Sequence, residues 1–474
     1  MRCCDFWYNT HVGVLGRTVR LWLRTDPQNL IRVMPAEERK MTQLEAARKG
    51  IVTDAMKVVA KDEGLDPETV RAAVASGEAV IPLNIHHKNA IPVGVGRMFT
   101  TKINANLGRS VTHSGKGDEL EKLKVALDAG ADFVMDLSVA SSEDEIAGIR
   151  QGMLDASPKP LGTVPIYETI SLLGDIPKMD PKFLIGVIRR QAEQGVDFMT
   201  LHAGLLLKHI PLAMKRKMGI VSRGGAIMAE WMMENKCENP LYTHWDEVMD
   251  ILAEHDVTVS LGDGLRPGCL ADASDSAQFG ELDVLGELVE RCRERGVQVM
   301  VEGPGHVPFN QIQMNMERQQ EVCKKAPFYV LGPVVTDIAP GYDHIVSAIG
   351  ATAAATYGAS LLCYVTPAEH LGLPDAEEVH QGCMAYKIAA HAGDVARGLP
   401  GARDRDDAMS DARAAFDWDR QFELCLDPKR AKERWLKTRA FADEAHGDDH
   451  CSMCGKQFCA VRTSRRIRKL AMEG

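Results

Sequence analysis

The sequence predicts a (β/α)8 barrel, and three observations support this fold class. Short apolar or β-branched runs alternate with helical stretches over most of the chain. Polar residues directly follow many of these runs. The length of 474 residues is enough for one large barrel with additional segments. Strands that alternate with helices indicate a parallel sheet, and about eight repeats match a closed TIM barrel.

Composition limits the classes of function. Hydrophobic residues make up 45% of the chain and charged residues 26%, as in ordinary globular proteins. The net charge of −10 argues against a general binder of nucleic acid or anionic membranes, because neutralising phosphates requires a cationic surface. No apolar run reaches the roughly 18 residues of a membrane span. Twelve cysteines without a secretory signal indicate reduced thiols and a metal site in a cytoplasmic protein.

The first 95 residues divide into two predicted segments. Residues 1–40 differ in composition from the rest, and we expect a disordered or mis-annotated leader with translation starting near Met41. Residues 41–95 are expected to form a layer packed on the main domain. Their first part has the pattern of two amphipathic helical segments, punctuated by Gly50 and Gly64.

Residues 96–375 carry the repeats that are expected to form the barrel. Nine strand-like runs compete for eight positions, so one run is expected to lie elsewhere. The runs are 102–106, 133–137, 164–167, 198–202, 219–222, 257–261, 297–301, 328–331 and 361–365. Residues 376–446 have a helical pattern, and residues 447–474 form a tail that is predicted to be flexible.

Polar side chains cluster at the carboxyl ends of these runs. Barrel enzymes carry their catalytic groups there, because the strands fix positions while the loops vary. Arg223 and Arg266 lie beside glycines, an arrangement that suits a bound phosphate. The residues at these ends include Asn106, Met135, Tyr167, His202, Ser222, Arg223, Gly224, Asp263, Gly264, Leu265, Arg266, Glu302, His306 and Tyr329. The pattern predicts a barrel enzyme.

The tail contains three cysteines, Cys451, Cys454 and Cys459, in the spacing C-x2-C-x4-C. Three thiolates fit a 4Fe–4S cluster with one iron open to another ligand. With His450 as a fourth ligand, the same cysteines fit a closed zinc site. The spacing alone leaves both metal centres open. The arginines that follow indicate a solvated helix end or a clamp for an acidic partner.

Longer blocks of sequence resemble one enzyme family over residues 41–461. The blocks are KINAN at 102–106, VSRGG at 221–225, SLGDGLRPG at 260–268, EGPGHVP at 302–308, TDIAPGYDH at 336–344, CYVTP at 363–367 and CSMCG at 451–455. Together they resemble the phosphomethylpyrimidine synthase family, radical S-adenosylmethionine lyases of thiamine biosynthesis. The resemblance implies conversion of 5-aminoimidazole ribotide to 4-amino-5-hydroxymethyl-2-methylpyrimidine phosphate, with release of 5′-deoxyadenosine, methionine, formate and CO.

The resemblance also implies roles for individual residues. The implied catalytic residues are Glu302 and Arg266. The implied metal ligands are His306 and His370 for zinc, and Cys451, Cys454 and Cys459 for a 4Fe–4S cluster. Substrate contacts are implied for Asn106, Met135, Tyr167, His202, Ser222, Arg223, Gly224, Asp263, Gly264, Leu265, Arg266, Glu302 and Tyr329. The implied partners are S-adenosylmethionine, a reductant such as flavodoxin or ferredoxin, and a second subunit in a homodimer that exchanges tails.

Two loops depart from the sequence that is usual in this family, at residues 95–101 and 139–144. Both are expected to border the substrate mouth, so they leave the product open. The alternative is the sister enzyme 5-hydroxybenzimidazole synthase, which uses the same ribotide to make the lower ligand of cobamides. A further alternative is a non-enzymatic zinc-binding protein whose cysteine tail is a structural finger.

Overall fold

Three helices and a two-stranded hairpin precede the main domain in the computed structural model. The structure describes residues 40–109, 116–439, 450 and 453–473. The predicted leader, residues 1–40, lies outside the described residues apart from Lys40. The elements that follow it are α1 (Gln43–Arg48), α2 (Asp54–Asp62), α3 (Pro67–Ser76), β1 (Ala79–Val80) and β2 (Val95–Gly96). The helical pattern is therefore present, but as three helices rather than two.

Eight parallel strands form a closed barrel, which confirms the predicted fold class. The strands are β3 (Lys102–Leu107), β4 (Phe133–Asp136), β5 (Leu161–Thr163), β6 (Phe198–Leu201), β7 (Thr258–Leu261), β8 (Val299–Gly303), β9 (Phe328–Leu331) and β10 (Leu361–Cys363). Each strand pairs with the next along the chain, and β10 closes the barrel against β3. Their nearly complete burial is typical of parallel strands covered on both faces.

Helices connect the strands and surround the barrel. They are α4 (Lys116–Asp128), α5 (Glu143–Ala156), α6 (Pro165–Leu173), α7 (Pro181–Gln194), α8 (Ile210–Ala213), α9 (Arg223–Asn235), α10 (Pro240–Thr243), α11 (Trp245–His255), α12 (Ser276–Glu294), α13 (Ile312–Val322), α14 (Asp343–Tyr357) and α15 (Ala376–Ala396). Short 3-10 helices lie at Leu207–His209, Leu270–Asp272 and Phe309–Gln311. The connection between β6 and β7 contains four α-helices, and it brings the start of α9 to the barrel mouth.

Two of the nine predicted runs are not strands. Residues 219–222 form a loop that leads into α9, so this run is the one outside the barrel. The run 164–167 is mostly the first turn of α6, and the strand β5 ends just before it. Pro165 explains the difference, because proline is favoured in the first turn of a helix and cannot donate a hydrogen bond to a sheet.

Close packing between neighbouring strands fixes one barrel position as glycine. Gly162 in β5 pairs with Phe198 in β6. A Cβ atom on Gly162 would come within 2.2 Å of the Phe198 ring. That ring also meets Phe133 edge to face, with ring centroids 5.9 Å apart. The barrel interior is therefore a packed core near its amino end.

The N-terminal layer lies against the amino ends of the barrel strands. Gln298, one residue before β8, accepts the backbone N–H of Ile81 at 2.8 Å. Asp197, one residue before β6, accepts the N–H of Asn84 at 2.8 Å and contacts His87 Nδ1 at 2.6 Å. Because these partners all precede strands, the layer covers the end of the barrel opposite the expected catalytic rim.

The chain beyond the barrel is helical, as the sequence predicts. The elements are α16 (Asp404–Ala415), α17 (Trp418–Leu424), α18 (Pro428–Arg439), α19 (Gly455–Phe458) and α20 (Ala460–Glu473). Residues 447–449, the start of the predicted flexible tail, lie outside the described residues. Within the described ranges, no helix combines the length and the apolar character that crossing a membrane requires.

We expect Asp197→Ala to destabilise the fold strongly. The Asp197 carboxylate is fully buried and also accepts the N–H of Leu161 at 2.7 Å. Its removal leaves three buried donors without a partner and should lower the free energy of unfolding by about 3–5 kcal/mol. The urea midpoint measures this effect. Asp54→Ala is the control, because Asp54 is exposed and its midpoint should not move; equal midpoints for both variants would contradict the assignment.

Candidate active site

A cavity of about 560 Å³ opens at the carboxyl ends of the barrel strands. Nine of the residues expected to contact substrate line it: Asn106, Met135, Tyr167, His202, Arg223, Asp263, Arg266, Glu302 and Tyr329. They come from β3, β4, β8 and β9 and from the segments that follow β5, β6 and β7. The closed barrel therefore brings together side chains that are more than 200 positions apart in the sequence.

Two guanidinium groups make one part of the cavity cationic. Arg223 is the first residue of α9, whose amino end is capped by Ser222. Its guanidinium stacks on the Tyr167 ring at 4.8 Å, an arrangement that uses the face of the group rather than its N–H donors. Arg266 pairs with Asp263, with Nη1 and Oδ1 at 3.0 Å. Arginine donors beside a helix amino end are suited to an anion such as phosphate.

Glu302 projects into the cavity from β8 and is held by hydroxyl groups of the two preceding strands. Thr200 Oγ1 donates to Glu302 Oε1 at 2.6 Å, and Ser260 Oγ donates to the same oxygen at 3.0 Å. Burial raises the pKa of Glu302, although these hydrogen bonds oppose the shift. The carboxyl group is thus fixed in position and more basic than in water, as a group that exchanges a proton must be.

The side chains of Cys363, Asn106 and Tyr329 form another wall of the cavity, and Asn104 supports it from behind. Asn106 Nδ2 donates to Cys363 Sγ at 3.0 Å, and Asn104 Nδ2 donates to the Tyr329 hydroxyl at 2.7 Å. Burial raises the pKa of Cys363 to about 12, so its thiol is protonated at neutral pH. The four side chains come from β3, β9 and β10, which are adjacent in the barrel.

His202 is buried at the end of β6 and is neutral. Burial, together with the nearby charge of Arg266, lowers the pKa of His202 to about 3. Among the described residues its Nδ1 has no hydrogen-bond partner. A Cβ atom on Gly224 would come within 2.3 Å of the imidazole ring, so the start of α9 can pack against His202 only with glycine there.

Four residues expected to contact substrate do not line the cavity. Ser222 caps α9 by accepting the N–H of Gly225. Gly224 packs on His202, and Gly264 packs on Gly225, where a Cβ atom would lie 2.3 Å from the Gly264 oxygen. Leu265 is fully buried in the core. As the structure places them, these residues fix the positions of their neighbours in the cavity wall.

The two expected zinc ligands lie next to each other at the barrel mouth. The ring centroids of His306 and His370 are 5.2 Å apart. Asp337 Oδ1 contacts His306 Nδ1 at 2.8 Å, and Asp343 Oδ1 contacts His370 Nδ1 at 3.1 Å. A carboxylate on Nδ1 orients imidazole for metal binding through Nε2, so the pair fits a zinc ion. No third histidine, cysteine or carboxylate joins them in a ligand group within the described part of the chain.

The expected cluster ligands are only partly described. Cys451 lies outside the described residues. Cys454 is exposed and Cys459 is buried, one at each end of the short helix α19. The spacing of the three cysteines, rather than their geometry, therefore remains the basis for expecting a cluster.

Several polar residues of the cavity were missed by sequence reasoning. They are Arg109, Lys122, Thr200, Cys363, Thr366 and Glu369. Thr200 and Cys363 lie within predicted strands, and alternation along the strand would have placed them inside the barrel. Arg109 follows β3 and obeys the same strand-end rule as Asn106. Lys122 comes from α4, and the sequence gives no sign that a helix contributes to the cavity.

Solved structures resemble the chain only loosely. A dihydropteroate synthase from Coxiella burnetii is 13% identical, covers 62% of this chain and 94% of its own, and has a TM-score of 0.37. One from Xanthomonas albilineans is 12% identical, covers 68% of this chain and 100% of its own, and has a TM-score of 0.39. Scores this low carry no argument about function.

Curated relatives are much more similar. The phosphomethylpyrimidine synthase of Halobacterium salinarum is 60% identical over 433 residues, which cover 90% of this chain and 89% of the relative. That of Natronomonas pharaonis is 58% identical over 434 residues, with the same coverage. The sequence profile described as the radical SAM ThiC family matches residues 42–466. This protein therefore belongs to the radical SAM ThiC family.

Proposed function

We propose that this chain is a lyase that converts 5-aminoimidazole ribotide to the phosphorylated pyrimidine of thiamine, using S-adenosylmethionine. The observation that carries the proposal is its 60% identity, over 90% of its length, to an enzyme named phosphomethylpyrimidine synthase. The 5-hydroxybenzimidazole reaction is not favoured, because three relatives that are 56–60% identical to this chain are named phosphomethylpyrimidine synthase. A non-enzymatic zinc protein does not account for the large polar cavity.

The cationic part of the cavity is suited to the ribotide phosphate. Arg223 offers its N–H edge next to the amino end of α9, and Arg266 supplies a second guanidinium. Asn106 and Tyr329 line the same cavity and offer polar groups to the imidazole and ribose. We infer that the phosphate anchors the substrate while these side chains orient the rings.

Glu302 and Arg266 are the proposed catalytic residues. Glu302 is positioned to hold or accept a proton at its carboxyl group, because Thr200 and Ser260 fix Oε1. Arg266 places a positive charge beside the carboxyl groups of Glu302 and Asp263. His202 offers a neutral imidazole, which can hydrogen-bond substrate without adding another positive charge beside Arg266.

The tail cysteines are the proposed ligands of a 4Fe–4S cluster. When bound, the cluster supplies the electron that cleaves S-adenosylmethionine to methionine and the 5′-deoxyadenosyl radical. Three thiolates suit this role, since a fourth protein ligand would occupy the iron that the methionine group needs. A reductant such as flavodoxin or ferredoxin would provide the electron.

We further propose a zinc ion at His306 and His370 and a homodimer in which each tail serves the other subunit. Exposed apolar side chains support such an interface: Ile338 is 88% exposed and Leu371 67%, both in loops of the barrel mouth. On α20, Leu470 is 69% exposed. Large exposed apolar groups of this kind are typical of surfaces that meet a partner. The cytoplasmic location inferred from the cysteines stays a prediction.

Product analysis tests the function. The full chain, reconstituted anaerobically with iron and sulfide, should convert 5-aminoimidazole ribotide to the pyrimidine phosphate and release 5′-deoxyadenosine, as measured by mass spectrometry. Cys454→Ala should lose both products and the visible absorption of the cluster. Cys425→Ala is the control, because this half-buried cysteine lies outside the tail motif and should leave both intact. A benzimidazole product would overturn the proposal.

Replacing the carboxylates behind the histidines should weaken zinc binding. Asp337→Asn and Asp343→Asn keep the side-chain shape but lose the charge that orients and polarises each imidazole. We expect each to lower the zinc affinity by about 10–100-fold, measured by chelator competition on metal-free protein. Asp283→Asn, at an exposed carboxylate on α12, is the control. Unchanged affinity in both variants would contradict a zinc site at this pair.

The pH dependence of stability should reveal the neutral state of His202. Burial lowers the pKa of His202 to about 3 in the folded protein, whereas the pKa of an unperturbed histidine is 6.5. Between these values only the unfolded chain binds the proton, so the stabilising contribution is complete above pH 6.5 and declines as the pH falls. Between pH 6 and pH 4.5, the free energy of unfolding should fall up to about 1.4 kcal/mol per pH unit faster in the wild type than in His202→Asn. Urea titrations at several pH values measure both slopes, and equal slopes would show that His202 is charged or exposed.

A further inference from the structure

The turn that carries Asp263 and Arg266 is supported from behind by a buried carboxyl group that the proposed mechanism does not use. Glu281 lies on α12 and is 2% exposed. Its Oε2 accepts the backbone N–H of Leu265 at 2.7 Å, and the nearby N–H of Gly264 also lowers the pKa of the carboxyl group. One side chain therefore holds the backbone of the turn at Leu265.

The position of Glu281 is itself tightly fixed. A Cβ atom on Gly264 would come within 3.0 Å of Glu281 Oε1, and one on Gly204 within 3.3 Å of Glu281 Cγ. The stem of the side chain thus passes close to the segment after β6, and its carboxyl group lies directly against the turn. Because the Glu281 side chain is confined in this way, it fixes the position of the turn relative to α12.

A second, small cavity of about 20 Å³ separates Glu281 from the substrate side of Asp263. Glu281, Asp263, Gln278 and Asn315 contribute its polar walls. Glu281 Oε1 and Asp263 Oδ2 are both buried and have no hydrogen-bond partner among the described residues. The volume suits one water molecule, which requires two or more polar partners of this kind.

We propose that Glu281 acts as a neutral carboxylic acid that positions the Asp263–Arg266 turn, accepting the backbone N–H of Leu265 through Oε2 and donating through Oε1 towards Asp263. This inference rests on the proposed function only in assigning Arg266 to the ribotide. The neutral form follows from the surroundings: the nearest arginine of the turn pairs with Asp263, and Arg216 pairs with Asp275. Burial, opposed by the Leu265 N–H and reinforced by Asp263, raises the pKa of Glu281 to about 8.

Glu281→Gln and Glu281→Met test whether Glu281 acts as a neutral acid. Glutamine reproduces a neutral acid, with one oxygen that accepts and one group that donates, whereas methionine has similar length and neither function. Leu288→Ala is the matched control, because Leu288 is fully buried on the same helix but lines neither cavity. This variant shows how a general loss of packing on α12 affects amide exchange and ribotide binding.

Hydrogen exchange and ribotide binding provide the readouts. In the full chain, Glu281→Met should speed amide exchange of residues 263–266 and weaken ribotide binding by about tenfold or more, since the buried N–H of Leu265 loses its acceptor. Glu281→Gln should keep exchange near the wild-type rate and affinity within about threefold. Leu288→Ala should not change exchange in this turn selectively.

Either of two results would overturn the proposal. One is an equal effect of Gln and Met, which would mean that Glu281 acts as an anion. The other is a Met variant whose turn exchanges like that of the wild type or of Leu288→Ala. If the wild-type chain fails to bind ribotide, the proposed function fails, while the exchange measurement still decides the role of Glu281.

Discussion

The contact between Arg266 and Asp263 is the interaction on which the barrel mouth depends. Both residues come from one turn after β7, with Nη1 and Oδ1 at 3.0 Å. Burial outweighs this pairing and raises the pKa of Asp263 to about 8. The same cation favours the neutral form of His202 and the ionised form of Glu302. A single guanidinium thus favours opposite charge states on two of its neighbours, although burial has the larger effect on both pKa values.

Much of the fold follows from the sequence because its signals are local. The alternation of short apolar runs with helical stretches predicts the barrel and its helical flanks. The same reasoning fails at 164–167, where apolar residues continue past a strand into a helix and only Pro165 marks the change. It also fails to single out 219–222, since a short apolar run does not distinguish a strand from a loop that packs on the core.

The cavity was predictable to the extent that its residues end strands. Asn106, Met135 and Glu302 fall at such ends, and the barrel brings them together. Lys122 and Glu281 could not have been found this way, because they project from helices and reach the site through tertiary packing. Asp337 and Asp343 lie within a recognisable block, but their pairing with the two histidines depends on how distant loops meet. Contacts between distant loops cannot be predicted from the spacing of residues along the sequence.

The covered amino end of the barrel limits the route by which ligands can enter. The N-terminal layer occupies that end through contacts such as Gln298 with Ile81 and Asp197 with Asn84. Ligands of the proposed reaction would therefore reach the cavity through the opposite mouth. Because they would share this entrance, the fold constrains the order in which they can bind.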